Sequence, residues 1–227
     1  MSSKRHAENL NMVDKDKVYT IDEAVQMLKS ARPARFDESV ELSIKLGIDP
    51  KKSDQNVRGA VVLPHGTGKS ARVIVFAEGP AADEAKDAGA LEVGGENLAK
   101  KIEDGWLDFD VAIATPSSMK FVGKLGRILG PKGLMPSPKA RTVTDKVGQA
   151  VKEYQAGKVE FRSDDGGSVR AAVAKLSFDA EKIAENVKSF LEYLVGLRPS
   201  SAKGTFVRRV TISSTMGPGL GLAGVWS

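Results

Sequence analysis

The octapeptide LPHGTGKS, residues 63–70, ends in Gly-Lys-Ser, as does the phosphate-binding P-loop of nucleotide hydrolases. A P-loop has another glycine five positions before the glycine that precedes its lysine, and this chain has Leu63 there. A P-loop also leads into a helix whose free N–H groups bind phosphate. Here Arg72–Phe76 follows, and its β-branched and aromatic residues predict a strand. We therefore predict a glycine-rich link between two strands, with a nucleotide-binding enzyme that uses Lys69 as the alternative.

The other residues that could do chemistry form weaker patterns. The chain has no cysteine and two histidines, His6 in a polar N-terminal tail and His65, so we expect no metal site built from them. Asp164 and Asp165 could mimic paired catalytic carboxylates, but adjacent strand residues point to opposite faces, and the Gly-Gly that follows favours a turn. We predict no catalytic residue, metal, cofactor or small-molecule substrate.

The composition predicts a cytoplasmic protein with an acidic partner. The chain has 227 residues, enough for one large or two ordinary domains, and 41% of them are hydrophobic. No apolar run approaches the length of a membrane span, and the polar N-terminal residues do not resemble a signal peptide. The absence of cysteine fits a reducing compartment. A net charge of +5 favours nucleic acid as the first candidate partner, although many soluble domains carry a similar charge.

The charges are unevenly distributed along the chain. Residues 78–110 contain ten acidic and three basic side chains, whereas residues 116–141 contain six basic side chains and no acidic one. Further cations gather near the C-terminus at Lys203, Arg208 and Arg209. Such blocks predict surfaces of opposite sign, and the simpler alternative is a set of ordinary solvated helix faces.

The outer parts of the chain predict a mixture of helices and half-buried strands. Thr20 and Glu23 have the spacing of a capping box at the start of a helix. Residues 39–46 alternate between polar and apolar, as in a strand with one buried face. Further strands are predicted at 57–63, 158–163, 168–174 and 205–212, with a helix at 180–197. The second and third of these strands flank a turn at 164–167 and predict a hairpin.

The middle of the chain predicts a parallel sheet covered on both faces. Strands at 72–76, 91–93 and 109–114 alternate with helices at 81–88, 96–103 and 118–125, and a helix at 145–155 follows. The part before this region is too small to bury a core alone. We therefore predict a discontinuous α+β domain, residues 1–67 and 158–227, with an inserted α/β domain at 68–157. Gly66, Gly68 and Gly157 would give the two crossings the backbone freedom of a hinge.

Four segments carry a resemblance to a known family. They are FDESVEL at 36–42, GPKGLMPSPK at 130–139, GKVEFRSD at 157–164 and STMGPG at 214–219. Together they resemble the bacterial form of the large-subunit ribosomal protein one family, the L-one stalk proteins, over nearly the whole chain. The resemblance implies a discontinuous α+β RNA-binding domain that carries an inserted, Rossmann-like three-layer α/β domain, with no enzymatic activity.

The resemblance also implies partners and a cellular role. Proteins of this family bind the ribosomal RNA of the mobile stalk near the exit site and assist the movement and release of deacylated tRNA. Bacterial members also repress translation of their own messenger RNA. The implied location is the ribosome in the cytoplasm.

The matching positions give a candidate RNA-binding set, with a secondary set in the inserted domain. Phe36 could stack on a base or sugar, and the Thr215 hydroxyl could hydrogen-bond RNA without contributing to the fold. Simpler roles are core packing for Phe36, a C-terminal turn for Thr215 and turn formation for Asp164. The candidate residues are Arg35, Phe36, Ser39, Glu41, Lys158, Arg162, Asp164, Ser213, Thr215, Met216 and Gly217, and the secondary residues are Lys124, Arg127, Lys132 and Lys139.

Two positions depart from the family pattern near GPKGLMP. The family usually has asparagine where Ser137 stands and glycine where Arg141 stands. An arginine adds charge there and removes backbone freedom, which leaves the usual contacts of this loop open. The last residues, 220–227, are glycine-rich and apolar and suggest no function.

Overall fold

The chain folds into two compact units, one discontinuous in sequence and one continuous. The first comprises Met1–Gly68 with Val159–Ser227, and the second comprises Lys69–Lys158. The structure, a computed structural model, describes residues 4–14 and 17–224. Both junctions lie one residue after the boundaries expected from the sequence. No helix within the described residues is long and apolar enough to cross a membrane.

The first unit begins with two helices, α1 (Lys4–Asn11) and α2 (Ile21–Ser30). The predicted capping box at α2 is confirmed, since Thr20 Oγ1 accepts the Glu23 N–H and the Glu23 carboxylate accepts the Thr20 N–H. Helix α1 corrects the expectation of a tail around His6. Asn9 is buried and holds α1 in place, because its side chain bonds both the N–H and the carbonyl of Arg32.

A five-stranded sheet forms the centre of the first unit. Its strands are β1 (Val18–Tyr19), β2 (Ser39–Leu46), β8 (Ser168–Lys175), β9 (Val207–Ser214) and β10 (Leu220–Leu222), in the order β1-β10-β9-β2-β8. Strand β2 alternates as predicted, with Val40, Leu42, Ile44 and Leu46 buried. These side chains share a core with α2 and with α8 (Ala180–Gly196). One face of the sheet is therefore covered, and the alternate residues of β2 are exposed on the other.

A second, two-stranded sheet corrects the predicted hairpin. Strand β7 (Lys158–Arg162) pairs with β3 (Arg58–Val62), whereas β8 belongs to the five-stranded sheet. A single bridge between Ser163 and Val169 joins the two segments around the predicted turn. The predicted turn is therefore confirmed, but the predicted pairing of strands 158–163 and 168–174 is wrong. Strand β7 pairs with β3 instead because the apolar side chains of both strands pack with α8, as the contact of Phe161 with Phe190 illustrates.

The second unit is a parallel sheet between two layers of helices. Strand β4 (Val73–Phe76) lies between β5 (Glu92–Gly94) and β6 (Val111–Ala114), parallel to both. Ile74 and Phe76 enter one core with α4 (Glu96–Glu103), α5 (Met119–Lys124) and α6 (Gly126–Leu129). Val73 and Val75 enter another core with α3 (Pro80–Asp87) and α7 (Val147–Gln155). Because successive strand residues face opposite sides, both faces are buried, and the mixed α/β class expected from the sequence is confirmed.

Candidate nucleic-acid interface

The exposed face of the five-stranded sheet carries rows of polar and charged side chains. Strand pairing places Glu41 opposite Ser213, Ser43 opposite Thr211 and Lys45 opposite Arg209. On the other side of β2, Ser43 lies opposite Arg170. Backbone groups within the sheet are already paired, so this face presents hydroxyls, one carboxylate and several cations to solvent. These are the groups that bind ribose hydroxyls and phosphates.

A buried carboxylate organises one end of this face. Glu38 is 2% exposed and directly precedes β2. Its Oε1 accepts the Ala34 N–H at 2.6 Å, and its Oε2 accepts the Ser214 hydroxyl at 2.7 Å and the Met216 N–H at 2.9 Å. Glu38 thus joins the loop before β2 to the turn after β9, two segments more than 170 residues apart in sequence.

The surroundings of Glu38 favour its ionised form. Burial raises the pKa of the Glu38 carboxyl, but hydrogen bonds from Ser214, Met216 and Ala34 outweigh it. With Arg5 3.6 Å away, they hold this pKa below its ordinary value. The carboxylate is therefore charged at neutral pH and accepts charge-assisted hydrogen bonds, which are stronger than neutral ones.

Thr215 has a structural role that differs from the one expected. Its hydroxyl accepts the Ser39 N–H at 2.9 Å and donates to the Ser39 carbonyl at 3.3 Å, while its own N–H donates to the same carbonyl at 3.0 Å. The expectation that this hydroxyl is independent of the fold is therefore wrong. Thr215 fastens the turn after β9 to the first residue of β2.

Two exposed apolar side chains lie close in sequence to the hydrogen-bonded pair Ser39 and Thr215. Phe36 is 54% exposed and Met216 is 49% exposed, so core packing does not explain Phe36. Each lies within two residues of Glu38 or of its hydrogen-bonded partner Ser214, so the two exposed apolar side chains belong to the two segments that Glu38 joins. Arg35 is exposed beside Phe36. We call Arg35, Phe36, Ser39, Thr215, Met216 and Gly217 the apolar rim of the sheet.

Gly217 allows the turn after β9 to stay tight. A Cβ at this position would lie 2.4 Å from Ser214 Oγ, the atom that donates to Glu38. Any other residue at position 217 would push Ser214 from its carboxylate partner.

The strand that returns from the second unit contributes less than expected. Lys158 is removed from the candidate interface, because its side chain is only 4% exposed and pairs with Glu153 at 2.8 Å. Asp164 forms the turn, since its Oδ1 accepts the Gly166 and Ser168 N–H groups at 2.9 and 2.8 Å. Arg162 is exposed on β7, in the second sheet, where it lines a cavity of about 410 Å³ together with Arg58.

The second unit presents its own exposed cations. Lys124 ends α5, Arg127 lies on α6 and Lys132 lies in the turn that follows, and all three side chains are exposed. The structure describes the backbone of Lys139, in a short 3₁₀ turn, but not its side chain. These residues lie in the stretch that has no acidic side chain.

Arg141 occupies a left-handed backbone conformation, with φ of 56°. It is the one non-glycine residue with positive φ among the described residues. This conformation is costly for a residue with a Cβ, which explains why glycine suits the position. Ser137 contacts the same loop through its backbone, since its N–H donates to Thr142 Oγ1 at 2.7 Å.

The glycine-rich link has no P-loop geometry. It joins β3 to strand β4 rather than to a helix, so no helix N-terminus lies at its end. Lys69 pairs with Asp110 at 3.0 Å, and Arg72 donates to the same carboxylate. Burial raises the pKa of Asp110, but hydrogen bonds from Arg72 and Lys69 lower it to about 2. No observation favours nucleotide binding through Lys69.

The expected hinge glycines all adopt positive φ, at 64° for Gly66, 73° for Gly68 and 101° for Gly157. Asn186, a fully buried residue of α8, contacts the link that contains Gly66 and Gly68. Asn186 accepts the His65 N–H and donates to the Gly66 carbonyl at 2.9 Å. Whether these glycines act as a hinge stays a prediction. Among residues 4–14 and 17–224, no group of three or more acidic, histidine or cysteine side chains could hold a metal ion.

A family model described as the Ribosomal protein L1p/L10e family matches residues 28–218. The chain belongs to this family. The match covers the whole second unit, most of the first unit and every residue of the apolar rim. The large ribosomal subunit protein uL1 of Kosmotoga olearia is 54% identical to the chain over 220 residues, which cover 97% of this chain and 95% of that protein. The family predicted from the four sequence segments is thus confirmed, and the chain is a ribosomal protein.

Sequence reasoning missed the residues that position the rim in this L1p/L10e family member. Glu38 looked like one more polar residue in FDESVEL, and Asn9 lay in a segment expected to be a tail. Ala34 is close to Glu38 in sequence, but the other partners, Ser214, Met216 and Arg32, are distant. The only local signal for Glu38 was its position directly before a strong alternating strand.

Proposed function

We propose that this ribosomal protein is a structural constituent of the large subunit and binds the ribosomal RNA of the mobile stalk near the exit site. The apolar rim and the polar face of the five-stranded sheet form the contact. The proposal rests on family membership and on one structural observation, the exposure of Phe36 and Met216 in two segments that hydrogen bonds to the buried Glu38 join. A preorganised apolar contact beside open hydroxyls suits an unstacked base or a ribose.

The individual residues have distinct roles in this proposal. Phe36 and Met216 exclude water and pack on base or sugar, while Arg35 and Arg162 bind phosphates. Glu41 accepts a hydrogen bond from a 2′-hydroxyl, as Ser39 and Ser213 can from the same face. Thr215 acts mainly by keeping Ser39 and the turn in register, and Gly217 lets the backbone approach RNA closely.

We further propose that the second unit makes a secondary RNA contact through Lys124, Arg127, Lys132 and Lys139. A contact with exit-site tRNA there would assist the movement and release of deacylated tRNA. The absence of acidic residues from 116–141 supports a phosphate partner. Binding of the chain's own messenger RNA to the apolar rim would repress its translation. The proposed location is the ribosome in the cytoplasm.

The decisive experiment measures binding of the full chain to a transcript of its large-subunit ribosomal RNA and to a scrambled duplex of equal length. The wild-type chain should bind the transcript more tightly, and Phe36→Ala should weaken this binding by roughly 5- to 150-fold, as the loss of one aromatic stacking contact does. Val62→Ala is the matched control, because Val62 is 46% exposed in the same unit but lies on β3.

Equal affinities of the wild-type chain for the two RNAs would refute stalk recognition. Salt adds a second readout, because with five phosphate contacts an increase from 50 to 200 mM salt would weaken binding on the order of a thousandfold on the B-DNA scale.

A chain made of residues 1–68 linked to 159–227 should keep the preference for the transcript if the first unit carries the site. Addition of the protein to a translation reaction programmed with its own messenger RNA tests repression.

A further inference from the structure

A β-bulge exposes an extra arginine at the end of the sheet opposite the apolar rim. Lys45 pairs with Arg209 and Leu46 pairs with Val207, so Arg208 has no partner on β2. Simple alternation would turn Arg208 toward the core, because Arg209 faces solvent and Val210 is buried. The bulge instead exposes both arginines between two buried valines. Bulges commonly re-aim a side chain beside a functional site.

Arg208 lines a cavity of about 390 Å³ together with Lys52 and Lys203. Two loops form its walls, and Gln55 ties them together. Gln55 is 8% exposed, its Oε1 accepts the Asp49 N–H at 2.8 Å, and its Nε2 donates to the Ser201 carbonyl at 3.3 Å. Because the buried Gln55 amide hydrogen-bonds to both loops, the walls of the cavity are fixed relative to each other.

Gly47 leaves room for the Arg208 guanidinium group at one side of the cavity. A Cβ at this position would lie 2.1 Å from the Thr205 carbonyl oxygen and 3.2 Å from Arg208 Nε. Glycine is therefore required for the loop at Thr205 and the arginine to approach this closely.

The cavity has an excess of positive charge that the protein does not neutralise. Within the described part of the chain, no carboxylate forms an ion pair with Lys52, Lys203 or Arg208. The acidic residue in the wall is Asp49, whose Oδ1 accepts the Lys51 N–H at 3.2 Å. Three basic residues line this concave site, so its ligand should carry negative charge and several acceptor oxygens.

We propose that this cavity binds a backbone phosphate of the same RNA that contacts the apolar rim. The inference rests on the proposed function and adds a second anchor point to it. The exposed row of β2 and β9 connects the two ends, passing from Ser39 to Lys45 and Arg209. Strand β2 has eight residues, so the anchor points lie roughly 23 Å apart at about 3.3 Å per residue. Two anchors at a fixed separation would orient a folded RNA on the sheet, which one apolar contact cannot do.

The first experiment compares single substitutions that each remove one exposed positive charge from the first unit. Lys203→Ala and Arg208→Ala alter the cavity, and Lys188→Ala is the control, because Lys188 is exposed on α8, which covers the opposite face. Each cavity variant should weaken binding of the ribosomal RNA transcript about tenfold at low salt and lower the salt slope by about one. Lys188→Ala should change neither value much, and all three melting temperatures should stay close to that of the wild-type chain.

The outcomes separate this inference from the proposed function. If Phe36→Ala loses affinity while both cavity variants behave like Lys188→Ala, the cavity is not an RNA site and the proposed function stands. If the wild-type chain shows no preference for the transcript, the proposed function fails and this inference fails with it. If inorganic phosphate binds the chain at micromolar concentration and leaves RNA affinity unchanged at constant ionic strength, the cavity binds a small anion and the assignment to the RNA backbone is wrong.

A second experiment locates the RNA directly. The chain has no cysteine, so Ser53→Cys, exposed beside Lys52, gives a unique attachment point for an iron–EDTA group that cleaves nearby RNA. Cleavage should fall on a few nucleotides of the transcript and should weaken there when Arg208→Ala is added. Diffuse cleavage, or cleavage unaffected by Arg208→Ala, would overturn the proposal.

Discussion

Replacing Glu38 with glutamine tests whether one buried carboxylate holds the candidate interface together. The change keeps the shape of the side chain and removes its charge. Oε1 of Glu38 accepts the Ala34 N–H, and Oε2 accepts two hydrogen bonds, from Ser214 and from Met216. Glutamine has only one acceptor oxygen, so its amide group must face at least one of these donors.

The expected loss of stability follows from this count of hydrogen bonds. In the better orientation the amide nitrogen faces the Ala34 N–H, which loses its partner at a cost of about 1–3 kcal/mol. The two remaining hydrogen bonds become neutral and weaken by about 0.5 kcal/mol or more each. Glu38→Gln should therefore lower the free energy of unfolding by about 2–4 kcal/mol at neutral pH.

The pH dependence of the stability loss distinguishes the missing charge of Glu38 from a poor fit of the glutamine side chain, because a poor fit would not depend on pH. The folded-state pKa of Glu38 lies below the ordinary value of 4.5, so its stabilising contribution is present above that value and is lost as pH falls through the folded pKa. The gap in stability between wild-type and Glu38→Gln should be largest near pH 7 and shrink below about pH 4.

Urea denaturation followed by circular dichroism at pH 7 and at pH 3.5 measures this gap. Glu41→Gln is the matched control, since Glu41 lies three residues later and is exposed, and its variant should stay within about 0.5 kcal/mol of wild-type. RNA affinity should fall for Glu38→Gln even where the protein remains fully folded, because Ala34 loses its partner and the hydrogen bonds that hold Ser214 and Met216 weaken. An unchanged denaturation midpoint at pH 7, or a gap that does not depend on pH, would refute the reasoning.

Three further predictions concern local features. Thr215→Val should lower the free energy of unfolding by about 1–2 kcal/mol, because the Ser39 N–H loses its acceptor; an unchanged urea midpoint would contradict the fastening role. Arg141→Gly should stabilise the protein by about 0.5–1 kcal/mol, since relief of the left-handed strain exceeds the added entropy of glycine, and calorimetry should show a melting temperature about 1–3 °C higher. Asp110→Asn should destabilise the protein at pH 7, and the gap should close as pH falls from the ordinary pKa of 3.8 towards about 2, which denaturation at several pH values would detect.

Local patterns in the sequence predicted the elements of the fold well. The capping box at Thr20 and the alternation along β2 depend on neighbours within a few residues, and both formed as expected. The alternation of strands and helices in the middle of the chain predicted the covered parallel sheet of the second unit for the same reason. The boundaries of several elements moved by one or two residues, because caps and bulges decide where an element ends.

Features that depend on distant partners could not be predicted from the same patterns. The hairpin around Asp164 failed because β7 gains more by pairing with β3, which lies about 100 residues earlier and shares its contact with α8. The pairing of β10 with β1 joins the two ends of the chain, so residues 220–222 showed no local reason to form a strand. The exposure of Arg208 needed the register of β9 on β2, which the run VRRV does not reveal.

The candidate interface forms only when segments that are distant in the chain have paired. Strand β2 lies between β9 and β8 in the sheet, and both of these partners follow the second unit in the chain. Until β9 pairs, Glu38 has neither Ser214 nor Met216 to bond, and Ser39 lacks Thr215. The apolar rim and the cavity at Arg208 both depend on β9, one on its last residues and one on its bulge. Pairing of β9 with β2 therefore forms the apolar rim and the cavity at Arg208 together, so a chain in which these two strands have not paired has neither feature.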